Sequence, residues 1–293
     1  MEAKVSQGLQ LSRWIDQEKI AGKPSRSLRF FQKCGDQRLF RIPASCHLLT
    51  KKGRFHRPLV LKVSCSSENG SASLLEPESF LATDDESEII KNKSEEIEPY
   101  LNGRCIYLVG MMGSGKTTVG KVLSEALGYS FYDCDTLIEE AVGGSTVADI
   151  FKLYGETFFR DNETQVLQKL SLMHSLVVST GGGAVVRPMN WRHMQKGISV
   201  WLDVPLEALA RRITAVGTNS RPLLHHESGD AYSKTMMRLS TLFEERGEAY
   251  ANADVRVSLE NIAAKLGFED VCNLTPTVIA IEVLSQIVNF LKK

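Results

Sequence analysis

The eight residues Gly110-Met-Met-Gly-Ser-Gly-Lys116-Thr117 satisfy the phosphate-binding pattern G-x-x-x-x-G-K-[ST] at every fixed position. The residue types explain the chemistry. Gly110, Gly113 and Gly115 allow positive φ and bring backbone N–H groups against phosphate oxygens, at a helix N-terminus whose dipole favours anions. This makes the loop that ends in Lys116 and Thr117 the expected seat of a nucleotide's phosphates. Lys116 is expected to reach the β- and γ-phosphates, and the Thr117 hydroxyl to ligate Mg²⁺. The alternative is a chance glycine-rich turn, and the apolar strand before the motif and the helical spacing after it argue against that.

Two carboxylates follow. Ser130-Phe-Tyr-Asp133-Cys-Asp135 reads as a short strand, and residues i and i+2 share a strand face, so Asp133 and Asp135 are expected to project together from its C-terminal end. Phosphoryl transfer needs one carboxylate near the metal and another near the nucleophile. The competing reading makes Asp135 an ordinary helix N-cap ahead of Thr-Leu-Ile.

Arg160, after two phenylalanines, is by itself equally well a surface ion pair. Thr180-Gly181-Gly182-Gly183-Ala184 directly follows a β-type run, which implies a tight turn, a ligand approaching bare backbone, or both. Arg221 lies in the polar stretch Gly217–Gly229, where a kinase would carry its lid. The alternatives for that stretch are a solvated arginine and two exposed loop histidines, His225 and His226.

These residues need elements to hold them. Strand-like runs at Cys105–Val109, Ser130–Asp133, Ser175–Ser179, Gly197–Asp203 and Asp254–Val257 alternate with helical spacing. Helices are expected after Thr118, from Ser145, from Gly155 to about Leu172, from Pro188, from Pro205, across Ala231–Ala249, and across an amphipathic tail at 275–291. The alternation predicts an α/β fold, with a five-stranded parallel sheet between two helical layers.

The 35 basic and 35 acidic residues cancel, but their distribution is uneven. Met1–Ser67 holds fourteen Lys or Arg against four acidic residues and is rich in Ser. Residues 1–65 are therefore expected to be an organelle transit peptide, with an RNA-binding arm as the alternative. No early apolar core of a secretory signal and no run of about 18 apolar residues is present. Residues 66–100 carry the opposite charge and read as an acidic flexible linker, ahead of a folded domain at 101–293. Six scattered cysteines without metal-ligand spacing imply a reducing compartment, and Cys105, Cys134 and Cys272 are expected to pack as small apolar groups.

Taken in order, the Gly110–Thr117 motif, Phe-Tyr-Asp133-Cys-Asp135, Phe-Phe-Arg160, Thr-Gly181-Gly-Gly183, Ser-Arg221-Pro-Leu-Leu and Glu-Arg246 resemble the shikimate kinases over about 105–257. The basic leader and Val63-Ser-Cys65 are similar to plant plastid members. The resemblance implies a P-loop kinase fold with a lid at about 217–230. It also implies transfer of the γ-phosphoryl of ATP to the 3-hydroxyl of shikimate, in the plastid pathway to chorismate and aromatic amino acids.

The resemblance implies catalytic roles for Lys116, Asp135 and Arg221, with Asp135 accepting from the substrate hydroxyl, and ATP binding by Gly113, Ser114, Gly115, Lys116, Thr117, Thr118 and Arg221. Arg160, a backbone N–H near Gly182, and Arg246 would hold the substrate carboxylate. Thr117 and, through water, Asp133 would serve Mg²⁺. Arg211 and Arg212 are both near where the family contacts adenine, and spacing does not choose between them. The implied partners are ATP and shikimate, with no nucleic acid and no membrane, for a monomer or weak homodimer. Other readings are a non-catalytic plastid protein of this fold, which would be expected to lack some matched positions, and a P-loop kinase of another small hydroxy acid.

Overall fold

The computed structural model describes residues 84–216 and 230–293. The transit segment, Arg221, His225 and His226 lie outside the described residues. The elements are α1 (Asp84–Leu101), β1 (Ile106–Val109), α2 (Lys116–Leu127), β2 (Ser130–Asp133), α3 (Cys134–Ala141), α4 (Val147–Leu170), β3 (Leu176–Ser179) and α5 (Pro188–Met194). They continue with β4 (Ile198–Asp203), α6 (Leu206–Val216), α7 (Ala231–Tyr250), β5 (Val255–Ser258), α8 (Leu259–Leu266) and α9 (Pro276–Leu291).

All five strands are parallel, in the order β2-β3-β1-β4-β5. Every residue of β1 and β3 is buried, as are the first five of β4. A strand covered on both faces has no solvent side to keep polar, which is why these runs are continuously apolar instead of alternating.

The chain steps past β3 on leaving β1 and steps the other way on leaving β2, β3 and β4. Right-handed crossovers then put α2 on one face and the later connecting helices on the other. Helix α9 packs on α2 and completes the first layer. Because β1 and β3 are neighbours whose connections diverge, a crevice opens above their C-terminal ends, the place where open α/β sheets bind ligands. The loops that follow β1 and β3 are the two glycine-rich segments singled out by the sequence.

The linker expectation fails for its second half. Asp84–Leu101 is helical, with Ile90, Ile97 and Leu101 buried, and it packs against α9. Glu86 meets Thr275 at the start of α9 and Glu96 meets Lys292 at its end, so the two helices run side by side in the same direction. The physical reason is spacing. Ile90, Ser94, Ile97 and Leu101 recur at intervals of four, three and four, a narrow, mostly apolar buried stripe hidden among acidic residues. Asn102 and Gly103, with φ of 47° and 70°, end the helix. Helix α4 is kinked at Gly155 (φ 82°), where the sequence had indicated a second helix starting.

Cys105 and Cys134 are buried as expected, whereas Cys272 is exposed in the turn before α9. Trp191 and Trp201 are buried packing residues. Among the described residues, no helix is long and apolar enough to cross a membrane.

Candidate active site

Strand β1 runs directly into the phosphate-binding loop. Gly110, Gly113 and Gly115 have φ of 148°, 79° and 89°, and a side chain on Gly110 would stand 2.7 Å from the Leu202 carbonyl oxygen. The loop therefore closes tightly against β4. Lys116 is buried at the start of α2, and its Nζ donates to the Gly110 and Met111 carbonyls, both at 2.8 Å, and to Ser114 Oγ at 3.3 Å. These bonds hold the ammonium over the loop.

Thr117 Oγ1 donates to Asp133 Oδ2 at 2.7 Å and lies 3.4 Å from Ser179 Oγ. The other Asp133 oxygen, Oδ1, accepts from the Asp135 N–H at 3.1 Å and caps α3. This corrects the strand-face expectation for the two carboxylates. The chain turns into a helix at Asp133 because that side chain satisfies an otherwise orphaned N–H, and Asp135 sits in the first turn of α3. Asp133 and Asp135 still converge, since both line one cavity of about 460 Å³ with Lys116, Thr117, Ser179 and Arg160.

Asp135 Oδ1 is buried and has no hydrogen-bond partner, and the same holds for Glu163 Oε1. Both oxygens crowd Gly181, where an added Cβ would lie 2.9 Å from Asp135 Oδ1 and 2.5 Å from Glu163 Oε1. Burial, then the neighbouring Asp133 charge, pushes the Asp135 carboxyl up to about 6. Burial likewise pushes Glu163 up to about 7, against the pull of Arg160. Of the two, only Asp135 lines the cavity, where a carboxyl raised toward neutrality is suited to exchange a proton with a hydroxyl, while Glu163 lies fully buried behind Arg160.

Arg160 is no surface residue. Its Nη1 donates to Glu163 Oε2 at 2.9 Å, and its Nε and Nη2 both donate to Glu156 Oε1 at 3.2 Å. A Cβ on Gly183 would overlap its guanidinium, so the bare backbone lets the arginine lie directly on the turn. From α7, the buried Arg246 reaches the Gly182 carbonyl through Nη1 at 3.5 Å. A second cavity of about 490 Å³ adjoins, lined by Arg160, Arg187, Arg238 and Arg246 against only Glu156 and Glu245. Such a rim favours an anionic guest.

Of the two arginines, Arg212 and not Arg211 is turned to the P-loop. Arg212 lines the P-loop cavity and donates to the Gly113 and Val271 carbonyls, whereas Arg211 pairs with Asp270 at 2.6 and 3.1 Å. Sequence reasoning also missed Glu163, Ser179 and Tyr250. Glu163 had a usable signal, since it stands three residues after Arg160 and so on the same helix face.

The fold and the site define a P-loop phosphotransferase, with a phosphate cradle on one side of a carboxyl group and an arginine-lined recess on the other. Residues 112–292 match the family described as shikimate kinase. The chain is 66% identical to a chloroplastic shikimate kinase of Solanum lycopersicum, over 100% of this chain and 97% of that one. It is 56% identical to chloroplastic shikimate kinase 1 of Arabidopsis thaliana, over 100% and 96%. Among solved structures it is similar to the shikimate kinase from Acinetobacter baumannii in complex with shikimate. That match has 33% identity, a TM-score of 0.54, and coverage of 67% of this chain and 97% of that one. The chain belongs to the shikimate kinase family.

Proposed function

We propose that the two halves of the cleft divide the reaction of this family between them. The enzyme transfers the γ-phosphoryl of ATP to the 3-hydroxyl of shikimate in the plastid, on the route to chorismate and the aromatic amino acids. The observation that carries the assignment of roles is Asp135, whose buried, unpartnered Oδ1 lies at the junction of the phosphate loop and the arginine recess.

Gly113 to Thr118 cradle the phosphates, and Lys116 neutralises charge on the β- and γ-groups. Asp135 orients the acceptor hydroxyl and takes its proton as the oxygen attacks phosphorus. Arg160 and Arg246 hold the acid's carboxylate, with a backbone N–H near Gly182 as a third donor, and a guanidinium suits a carboxylate because it donates in a planar fork. Glu163 anchors Arg160 from behind. Arg221 keeps the role read from its sequence context, a cation brought over the transferring phosphoryl.

The donor set fits Mg²⁺. Thr117 Oγ1, Asp133 Oδ2 and Ser179 Oγ are hard oxygens gathered at the loop. Among the described residues, no three His, Cys, Asp or Glu side chains form a dedicated metal cage. A hydrated ion shared with phosphate oxygens suits such a site. Thr117 would bind it directly and Asp133 through water, and when bound it supplies charge neutralisation at the phosphates.

A coupled ADP-release assay tests this reading on a chain beginning at Ser66, with shikimate compared against gluconate and other hydroxy acids. Turnover is expected with shikimate and to be lost when EDTA replaces Mg²⁺. Equal ADP release with and without shikimate would overturn the acceptor assignment. For Glu163→Gln, which keeps shape but removes the charge facing Arg160, the KM for shikimate is expected to rise about tenfold with the KM for ATP unchanged. An unaltered shikimate KM would make the Glu163–Arg160 pair structural only.

A further inference from the structure

We infer that Tyr250 is a positioning residue for acid recognition, acting through the Gly182 carbonyl that it shares with Arg246. Tyr250 is fully buried, and its hydroxyl donates to the Gly182 carbonyl oxygen at 2.5 Å, with Met111 Sδ of the phosphate loop at 3.5 Å. Arg246 approaches the same carbonyl from one helical turn earlier on α7. The inference rests on the reading that a backbone N–H near Gly182 faces the substrate carboxylate, and the N–H that shares a peptide plane with the Gly182 carbonyl is that of Gly183.

Backbone geometry explains why one hydroxyl matters here. The orientation of Gly182 is set by the two peptide planes on either side of it, and a glycine restrains neither of them sterically. The preceding plane is fixed because the Gly181 carbonyl accepts from Ala184 N–H at 3.0 Å. The following plane is fixed from α7, by Tyr250 at 2.5 Å and more weakly by Arg246 at 3.5 Å. Among the described residues, no backbone–backbone bond takes up the Gly182 or Gly183 N–H, so these donors keep whatever direction the two planes give them. Removing the phenol leaves the second plane to the longer bond of an arginine that is itself engaged in substrate binding.

The ring is well suited to be a fixed post. It stacks on Trp201 at 5.7 Å between centroids, and Trp201 in turn lies under the Arg256 guanidinium at 4.8 Å. Burial pushes the phenol up to about 12, so the hydroxyl stays protonated and donates throughout the working pH range. Gly182 also abuts the phosphate loop, where an added Cβ would lie 3.3 Å from Met112 N. The post therefore stands at the seam between the two substrate sites, while its strongest bond is on the acid side.

Tyr250→Phe is the test, because it keeps the ring, the stack and the packing and removes only the donor. Steady-state kinetics are expected to show the shikimate KM raised about five- to twentyfold, with kcat and the ATP KM within about twofold. Calorimetric titration of shikimate should weaken by the same factor. If Tyr250 is only a core residue with a satisfied hydroxyl, the shikimate KM stays within twofold, and the inference fails. An equal rise in both KM values also overturns it, since that marks general loosening of the seam. The unchanged ATP KM doubles as proof of folding in the same sample. Arg160→Lys measured alongside separates the levels. If Arg160→Lys raises the shikimate KM and Tyr250→Phe does not, this inference alone falls; if neither does, the carboxylate pocket itself has been misassigned.

Discussion

Replacing Asp135 with asparagine is expected to lower kcat about a thousandfold while leaving ATP affinity within about threefold. Positioned general-base groups contribute on the order of 10² to 10⁴ in rate, and the amide of Asp135→Asn would keep the shape and the hydrogen-bonding reach without accepting a proton. ATP affinity is spared because the proposed phosphate contacts come from the loop and Lys116, whose Nζ bonds go to loop oxygens and not to Asp135. Stopped assays for turnover and calorimetry for ATP would check the two halves separately. Turnover within tenfold of the parent would remove Asp135 from the chemistry.

The same substitution is expected to stabilise the ligand-free protein at alkaline pH. The Asp135 carboxyl rises from an ordinary value of 3.8 to about 6 on folding, so the folded chain holds the proton more tightly than the unfolded one. Stability from the neutral form is complete below the unfolded value and is lost as pH rises through about 6. Above that, the ionised carboxylate costs the fold about 1–3 kcal/mol, which asparagine avoids. Urea denaturation should show the variant ahead by that margin at pH 8 and level with the parent near pH 4. For the active enzyme the sign runs the other way, because Asp135 must be ionised to accept a proton, and kcat/KM should fall as pH drops below about 6. On the proposed role of Asp135, stability is given up at this position for a base poised near working pH.

That position also shows how far the sequence could be read. The phosphate loop was fully legible, because backbone chemistry demands glycines at fixed spacing and leaves an imprint no packing argument can blur. The sheet was legible for a related reason, since fully covered parallel strands write continuous apolar runs such as Ile106–Val109 and Leu176–Ser179. Asp133 and Asp135 were seen as a pair but given the wrong local geometry, because an aspartate after a strand is as good a helix cap as a strand residue, and only the bond from Thr117 shows both uses at once. Tyr250 was invisible as a site residue, and Glu163 offered only its place three residues after Arg160 on the same helix face. A buried Glu three residues from an Arg, or a Tyr at a helix end, looks like ordinary helix composition until the fold brings the Gly181–Gly183 turn against it.

The largest stability effect belongs to the element misread as linker. A chain beginning at Asn102 is expected to melt about 6–20 °C below one beginning at Thr83, or to aggregate on expression. Helix α1 contributes Ile90, Ile97 and Leu101, each nearly or fully buried, and burial of such a side chain stabilises by about 1.5–3 kcal/mol. Ordering eighteen residues offsets part of that gain. Truncation, however, also uncovers apolar side chains of α9, which remain folded and wetted in the shortened chain. Against a total of about 5–15 kcal/mol, a net loss of even about 3–5 kcal/mol is large, and each kcal/mol moves the melting point by about 2–4 °C at this size. Because α9 also packs on α2, the helix that starts at Lys116, the loosening should reach the nucleotide side as a raised KM for ATP before it touches the acid pocket. Differential scanning calorimetry of the two chains decides the matter, with Ile97→Asp in the longer chain as a milder version of the same lesion. Melting points within about 3 °C of each other would mean that α1 rests on the domain without supporting it.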